Sequence, residues 1–170
     1  MRITDRNFFA QDGYVLAQQL IGKYICRYID GNIIRLQITE TECYLGTEDT
    51  ACHAHKGKTP RTQIMWQPGG VCYVYLCYGI HNLLNFISGG ENQPQGVLIR
   101  GVKGYSGPGK LTKALQIDRS FNGEDLITSD RIWLESGDSL PYKATPRIGI
   151  GYASEKDQNA LWRFVVEERK

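Results

Sequence analysis

The chain has 170 residues, of which 41% are hydrophobic and 22% are charged, as expected for one folded domain with its own core. Twenty Lys and Arg against eighteen Asp and Glu give a formal charge of +2, so binding to a polyanion would depend on local clusters of basic residues. No apolar run approaches the ~20 residues that span a bilayer, and the polar N-terminus lacks a secretory signal pattern. We therefore expect an intracellular protein, in the cytoplasm or nucleoid, without a membrane partner.

The hydrophobic pattern predicts an α+β fold of many short antiparallel strands and a few helices. A short helix is predicted between Asp12 and Gly22, and an Asp-Gly pair at 30–31 is typical of a β-hairpin turn. A second helix is predicted after the Gly-Pro-Gly segment at 107–109, because Pro suits a first helical turn. The strands are predicted over residues 24–29, 33–44, 71–78, 83–87, 97–102, 131–135, 147–152 and 161–166.

The second predicted strand carries carboxylates where its pattern favours aliphatic side chains. Apolar residues alternate from Ile34 to Ile38, and the same period of two places Glu40, Glu42 and Tyr44 on this core-facing side. A buried ionised carboxylate is costly unless it is paired or lines a polar pocket. The pattern leaves two interpretations open: these residues line a pocket, or the strand end is exposed and the alternation simply stops.

The five cysteines lie mainly in apolar, strand-like settings, which is typical of reduced, buried thiols in an intracellular protein. Cys43, Cys52, His53 and His55 lie close enough in sequence to raise the question of a zinc site. Their spacing fits poorly, because there is no CxxC pair and adjacent residues such as Cys52 and His53 would point apart. We therefore expect no metal site. A cysteine nucleophile is also disfavoured, since Cys43 is off the face that carries Glu42.

Aromatic, basic and acidic residues together favour a nucleic-acid interpretation. Tyr73 and Tyr75 share one face of a predicted strand, whereas Tyr78 lies on the other face beside a glycine. Such tyrosines most often pack in a core, but one at a strand end can project as a wedge between bases. Lys110 and Lys113 near a helix start are placed to bind phosphate. The GxxxxGK[ST] spacing of a P-loop is absent, so ATP hydrolysis is not expected.

From about Phe8 to Val166, the order and spacing of several segments resemble the alkyladenine (3-methyladenine) DNA glycosylase family. These segments are ITETECYLG, ACHAHKGKTPRT, QPGG, YVYLCYGIHNLLN, GVLIR, GPGKLTKAL and PRIGIG. The resemblance implies a single compact glycosylase domain over residues 1–170, with a curved antiparallel β-sheet and flanking helices. It also implies a monofunctional enzyme of base excision repair that flips damaged purines out of double-stranded DNA and hydrolyses the N-glycosidic bond. No cofactor is implied, and a monomer is the default expectation.

The resemblance assigns the reaction to three positions. Glu42 matches the general base that activates a water for attack on the sugar C1′, and Arg100 matches the arginine that helps hold this water. The backbone carbonyl of Ile148 matches the third contact of the water. Glu40 has no catalytic match, and we expect a structural hydrogen-bonding role for it.

Binding of the damaged nucleotide is assigned in the same way. Tyr44, His53 and Tyr75 match the pocket that stacks around the flipped base, where aromatic faces suit cationic alkylated purines. Asn85 matches the residue that disfavours normal guanine by crowding its 2-amino group. Tyr78 matches the intercalating wedge that fills the gap left by the extruded nucleotide.

Contacts to DNA phosphates are expected from Lys110, Arg61 and Arg147. The candidate lesions are 3-methyladenine, 7-methylguanine, ethenoadenine and hypoxanthine, and the sequence does not rank them. Two other classes of function stay open: a non-catalytic nucleic-acid-binding domain in which Glu42 is merely structural, and a small metal-dependent hydrolase that uses histidines and cysteines of the loop after Tyr44.

Overall fold

The computed structural model describes residues 1–167, and an antiparallel sheet is its framework. The strands in this part are β1 Tyr24–Ile29, β2 Asn32–Tyr44, β3 Cys72–Cys77, β4 His81–Ser88, β5 Gln95–Val102, β6 Tyr105–Ser106, β7 Ile132–Glu135, β8 Tyr142–Thr145 and β9 Arg163–Val166. The α-helices are α1 Arg6–Phe9, α2 Gly13–Leu20, α3 Pro108–Ala114 and α4 Glu155–Asn159. Short 3-10 helices cover His53–Lys56, Gln63–Trp66 and Arg119–Phe121.

The sheet is organised around β2, the longest strand, which passes from one set of neighbours to another. Residues 32–37 of β2 pair with β1, whereas residues 38–44 pair with β5, and β9 pairs with residues 40–42. The strand order is β3-β4-β5-β2-β1-β7, with β6 on β5 and β8 on β9. Helix α2 is tied to β2 by the Thr41 hydroxyl, which donates to the Ala17 carbonyl at 2.8 Å. The predicted α+β fold with a curved antiparallel sheet is confirmed.

Two neighbouring rows of paired residues cross β3, β4, β5 and β2 and face opposite sides of the sheet. The first row lies in the main hydrophobic core and consists of Cys72, Phe86, Val97 and Cys43. The second row consists of Tyr73, Asn85, Leu98 and Glu42. Each large apolar side chain buried in the first row contributes about 1.5–3 kcal/mol to stability. Because side chains alternate along each strand, this core also fixes the position of the second row.

A β-bulge decides which face of β2 carries the carboxylates. Ile38 lies in the main core, and so does Cys43 five residues later, which strict alternation does not allow. The register against β5 shifts twice between Ile38 and Thr41, as in a bulge that inserts an extra residue. The prediction that Glu40 and Glu42 share the face of Ile38 is therefore wrong: they lie on the opposite face of the sheet.

The strand predicted over residues 147–152 is not formed. This segment is irregular, and Gly149 has a φ of +74°, a left-handed value that glycine adopts readily. The N–H of Ile148 donates to the Glu42 carboxylate instead of to a neighbouring strand. The segment therefore forms a wall of the cleft described below, and the nearest strand, β8, lies before it in the chain.

The cysteines carry free thiols, four of them buried and the fifth, Cys77, half-buried. Burial raises the pKa of Cys26 to about 12 and that of Cys52 to about 11. It also raises the pKa of Cys43 and of Cys72. These four thiols are therefore protonated at neutral pH.

The residues considered as zinc ligands do not converge on one point. Cys43 lies in the main core, Cys52 lies in a second cluster with Met65 and Ile87, and the ring of His53 contacts a tyrosine hydroxyl. Within residues 1–167, no group of three or more His, Cys, Asp or Glu side chains is arranged to hold a metal ion. No helix in the same part of the chain is long and apolar enough to cross a membrane.

Candidate active site

Glu42 has 0% of its surface exposed and lies behind a cleft that its neighbours Tyr44, Arg100 and Ile148 line. Its Oε1 accepts a hydrogen bond from the hydroxyl of Tyr44 at 2.9 Å, and its Oε2 accepts one from the backbone N–H of Ile148 at 2.7 Å. The Nη1 of Arg100 lies 3.7 Å from Oε1, and the Nε of Arg100 donates to Glu40 at 3.1 Å. The residues predicted to carry the reaction are thus brought together, although Ile148 meets Glu42 through its N–H.

Opposing effects act on the acidity of Glu42. Burial raises its pKa above the ordinary value, because the charged form loses its hydration. The charge of Arg100 and the hydrogen bonds from Ile148 and Tyr44 lower the pKa without cancelling this rise. Burial also raises the pKa of Tyr44, so its hydroxyl stays a donor. A carboxylate in this setting can accept a proton readily, as a general base must.

Aromatic side chains from three segments line the cleft and its inner cavity beside Glu42. The ring centroids of His53 and Tyr75 are 4.6 Å apart, and His53 Nδ1 lies 2.8 Å from the hydroxyl of Tyr73. The guanidinium of Arg61 lies over the Tyr75 ring at 5.5 Å. Tyr44, His53 and Tyr75, predicted to stack around a base, therefore border one pocket.

The cleft has a volume of about 620 Å³ and shares four of its lining residues with an inner cavity of about 40 Å³. The inner cavity is lined by Tyr44, Ala51, Cys52, His53, Met65, Tyr73, Tyr75, Asn85, Gly96 and Tyr152. A space of this size holds roughly three water molecules. The polar and aromatic lining suits a flat ring that displaces this water and stacks on the walls.

His53 is held in its neutral form. Burial, with a smaller contribution from the charge of Arg61, lowers the pKa of His53 to about 4. A neutral imidazole does not repel a positively charged ligand, yet it still offers an aromatic face for stacking. The pocket is therefore suited to an electron-poor or cationic ring at neutral pH.

Asn85 lies in the row that also contains Glu42 and borders the inner cavity. Its side chain is buried, and its Nδ2 donates to the backbone carbonyl of Tyr73 at 3.2 Å. The hydrogen bond fixes the amide group in the cavity wall. The position fits the predicted role of crowding one edge of a base.

Tyr78 projects from the tip of the hairpin between β3 and β4 with 90% of its surface exposed. It has a φ of +53° and Gly79 has a φ of +66°, positive values at both central residues, as in a type I′ turn. The N–H of Ile80 donates to the carbonyl of Cys77 at 3.1 Å and closes the turn. The ring lies at the rim of the cleft, free of the core.

Comparison with known proteins shows the family of this chain. The family described as "Methylpurine-DNA glycosylase (MPG)" matches residues 7–106 and 103–170. Three relatives are each named "Putative 3-methyladenine DNA glycosylase". The protein of Borreliella afzelii is 44% identical over 98% of this chain and 97% of its own length. The proteins of Rickettsia felis and Psychrobacter cryohalolentis are 44% and 43% identical, over 98% and 90% of this chain and 94% and 87% of their own lengths.

This chain belongs to the methylpurine-DNA glycosylase family. The resemblance found in the sequence is thereby confirmed. The protein is an enzyme that hydrolyses N-glycosyl bonds in DNA repair, and its family implies binding to damaged DNA.

In this glycosylase Arg147 lies inside the fold, with 0% of its side chain exposed. Its guanidinium donates to both oxygens of Asp49, at 2.7 and 2.9 Å, and to the carbonyl of Cys43 at 3.0 Å. It also lies 4.9 Å from the Tyr44 ring and 4.8 Å from the Trp162 ring. The prediction that Arg147 contacts a phosphate is wrong, because its charge is buried and already paired.

The other two residues predicted to contact phosphates lie at the surface of the cleft. Arg61 and Lys110 both border its outer part and are exposed to solvent. Their positions are compatible with contacts to a DNA backbone. These phosphate contacts stay predictions.

Three residues in and around the glycosylase site were not predicted as site residues from the sequence. The hydroxyl of Tyr73 contacts His53. The available signal in the sequence was that Tyr73 and Tyr75 share one face of a predicted strand. Tyr152 lines both the cleft and the inner cavity, but it lies in an irregular segment without periodicity. Arg163 donates to Glu40 at 2.6 Å, a contact that depends on strand order and has no signal in the sequence.

Proposed function

We propose that this protein is a monofunctional DNA glycosylase that flips an alkylated or deaminated purine out of duplex DNA and hydrolyses its N-glycosidic bond with a water activated by Glu42. The candidate substrates are 3-methyladenine, 7-methylguanine, ethenoadenine and hypoxanthine. We further propose that the chain acts as a single catalytic domain and as a monomer, without a cofactor.

The observation that carries the proposal is the fully buried carboxylate of Glu42 beside an aromatic pocket. A buried carboxylate costs stability unless it is paired, and Glu42 has only one cation, Arg100, within 4 Å among residues 1–167, at 3.7 Å. Its other partners are the N–H of Ile148 and the hydroxyl of Tyr44. This arrangement supports a carboxylate that is kept partly available for a water molecule.

In the proposed reaction the water oxygen forms a bond to C1′ while the bond between C1′ and the purine nitrogen breaks. Glu42 takes the proton of the water, and the purine leaves with the electron pair of the broken bond. A purine alkylated at N3 or N7 is cationic, so it leaves as a neutral molecule without a protein acid. Arg100 orients the water, and the carboxylate also stabilises the oxocarbenium-like sugar.

The aromatic pocket and the exposed hairpin support the binding step. Tyr44, His53 and Tyr75 offer faces for stacking, worth about 1–3 kcal/mol for a base. Flipping a nucleotide costs a few kcal/mol, least for a weakened base pair. In the proposed complex Tyr78 fills the vacated position in the duplex, so that the wedge and the pocket together offset this cost.

The proposal is tested by base release from duplex oligonucleotides that each contain one of the four lesions. The wild type in EDTA is expected to release at least one of these bases, and Glu42→Gln is expected to be at least about 100-fold slower in single turnover, because general base catalysis typically contributes 10²–10⁴-fold. Glu48→Gln, which neutralises an exposed carboxylate on the following loop, is the matched control and should keep the wild-type rate.

Each alternative function has its own outcome in this experiment. Excision by Glu42→Gln at the wild-type rate would remove Glu42 as the base. Tight duplex binding by the wild type without release of any lesion would indicate a non-catalytic DNA-binding domain. Release that stops in EDTA and returns with added zinc would indicate a metal-dependent hydrolase.

A further inference from the structure

Glu40 forms the centre of a second, partly buried charge network next to Glu42. Its Oε2 accepts hydrogen bonds from Arg100 Nε at 3.1 Å and from Arg163 Nε at 2.6 Å. The side chains of the three residues are only 10–19% exposed. Charges that are partly removed from solvent attract each other more strongly than charges at the surface.

Three strands fix this network in place. Glu40 lies at the bulge of β2, opposite Gly101 of β5, where an added Cβ would come within 3.2 Å of the Glu40 Cβ. Arg163 of β9 is paired in register with Glu42 of β2. The Nη1 of Arg163 also donates to the hydroxyl of Thr145 at 3.0 Å. The network is therefore a built part of the sheet.

Arg100 is shared unequally between the two carboxylates. Its Nε forms a hydrogen bond to Glu40 at 3.1 Å, whereas its Nη1 stays 3.7 Å from Glu42, beyond hydrogen-bond distance. Without Glu40, the nearest carboxylate for Arg100 would be Glu42. A direct ion pair would then occupy the Glu42 oxygen that a water needs.

We propose that Glu40 is a positioning residue that holds the Arg100 guanidinium away from Glu42, so that both groups stay free to bind the attacking water, and that Arg163 moderates this pull. This inference rests on the proposed function of Glu42. Arg163 limits how strongly Glu40 attracts Arg100, because the two arginines share one carboxylate oxygen. The position of Arg100 is thus set by a balance between Glu40 and Glu42, and Arg163 weakens the attraction of Glu40.

This balance predicts that substitution of Glu40 and substitution of Arg163 shift the pH dependence of the rate in opposite directions. The groups that act on Glu42 are Arg100 from β5, Tyr44 from β2, the N–H of Ile148 and the charge of Arg147; two further tyrosines, Tyr75 and Tyr152, also lie within electrostatic reach of it.

Glu42 acts in its ionised form, so the rate rises with pH through its pKa. Glu40→Gln removes a negative neighbour and releases Arg100 toward Glu42, which lowers the pKa and moves the acid limb to lower pH. Arg163→Gln removes a positive neighbour and leaves Glu40 to attract Arg100, which moves the acid limb to higher pH.

The test is the single-turnover rate of base release against pH, with a duplex that contains 7-methylguanine, whose cationic base needs no further proton to leave. We expect Glu40→Gln to lower the plateau rate about 10- to 100-fold, the size of effect that follows from a misplaced catalytic group. Its acid limb should shift downward, whereas that of Arg163→Gln should shift upward. The matched control is Glu135→Gln, which neutralises a glutamate of β7 that is paired with Arg35 at 2.7 Å. Its pH profile should be that of the wild type.

The outcomes separate this inference from the proposed function. Wild-type profiles for both Glu40→Gln and Arg163→Gln, with Glu42→Gln inactive, would overturn the role of Glu40 and leave the role of Glu42 intact. Shifts of the same sign in both variants would also overturn it, because a loss of general stability has no reason to depend on the sign of the charge removed. Activity of Glu42→Gln would overturn the proposed function itself. If Glu40→Gln does not fold, the profile of Arg163→Gln decides alone.

Discussion

Burial shifts the pKa values of Glu42 and His53, which lie beside the pocket, in opposite directions. It raises the pKa of Glu42 and lowers the pKa of His53 to about 4, because in each case the charged form is the one that loses hydration. The result is a carboxylate that accepts a proton readily and an imidazole that does not carry one at pH 7. For a cationic purine, the pocket therefore combines an attractive group with a neutral stacking surface.

The low pKa of His53 predicts a pH dependence of stability. An unfolded histidine has a pKa of about 6.5, so above this pH neither state binds the proton and the contribution of His53 is constant. As the pH falls from about 6.5 to 4, the unfolded chain takes up a proton that the native state refuses, and stability is lost. We expect the wild type to lose on the order of 1–2 kcal/mol more than His53→Gln between pH 7 and pH 4.5.

Urea unfolding of the free protein at the two pH values measures this difference. His55→Gln is the matched control, since His55 lies in the same turn, is exposed, and its ring Nδ1 contacts the carbonyl of Thr47 at 2.7 Å. It should keep the pH dependence of the wild type. Equal losses in wild type and His53→Gln would show that His53 is not held neutral by the fold.

At the scale of the elements, the β3–β4 hairpin has two tasks. Its strands hold Tyr73, Tyr75 and Asn85 in the pocket, and its tip presents Tyr78 to solvent. A non-glycine residue with positive φ is uncommon and carries a cost of order 1–3 kcal/mol. The hydrogen bond from Ile80 to Cys77 closes this turn.

This geometry predicts that Tyr78→Ala affects duplex DNA selectively. The ring is 90% exposed, so its loss should change the free energy of unfolding by less than about 0.5 kcal/mol. Base release from a damaged duplex should fall about 10-fold or more, whereas release from the same lesion in single-stranded DNA should change little, because only a duplex must be held open.

The two substrates are compared in single turnover, with Tyr28→Ala as the control for removal of an exposed tyrosine, 47% accessible and located on β1. Equal losses on single-stranded and duplex DNA would contradict the wedge role. A large loss of stability would instead indicate that Tyr78 packs against the fold.

The sequence predicted structural features that depend on one strand alone. It misled where the position of a side chain depends on the neighbouring strands. The strands around β2 and the placement of the Tyr75 face follow from local periodicity. The face of Glu40 and Glu42 does not, because a bulge against β5 reverses the alternation. Arg147 begins a segment predicted as a strand and was expected to contact a phosphate, but its buried partner Asp49 is 98 residues away in sequence. The site residues were predicted by resemblance to a family whose order of motifs reflects the folded arrangement.

At the scale of the whole molecule, four of the five cysteines are buried and one is partly accessible. Cys43 and Cys72 belong to the row that anchors the sheet, Cys52 lies in the second cluster, and Cys26 is buried beside Glu135, to which its thiol donates at 3.2 Å. Cys77 alone is partly accessible, at the end of β3. Thiol reactivity therefore reports on the intactness of the entire fold.

We expect a disulfide reagent such as Ellman's to modify one thiol of the native protein rapidly and the other four only after unfolding. The reason is that reaction requires an accessible thiolate, and burial both covers the four thiols and raises their pKa. Counting released thionitrobenzoate with and without urea measures this. Cys77→Ser should abolish the fast phase, and two or more fast thiols in the wild type would contradict the described packing.

Because four thiols are buried and protonated, the enzyme should resist the alkylating agents that damage DNA. The electrophiles that methylate purines also attack thiolate sulfur, so a repair enzyme is exposed to the same chemical stress as the DNA on which its family acts. Four of its five cysteines are kept protonated and out of reach by burial, and two of them, Cys43 and Cys72, lie in the core that positions Glu42 and Asn85. The fold thereby shields its own nucleophiles, and its activity should survive a dose of alkylating agent that inactivates enzymes with exposed, ionised cysteines.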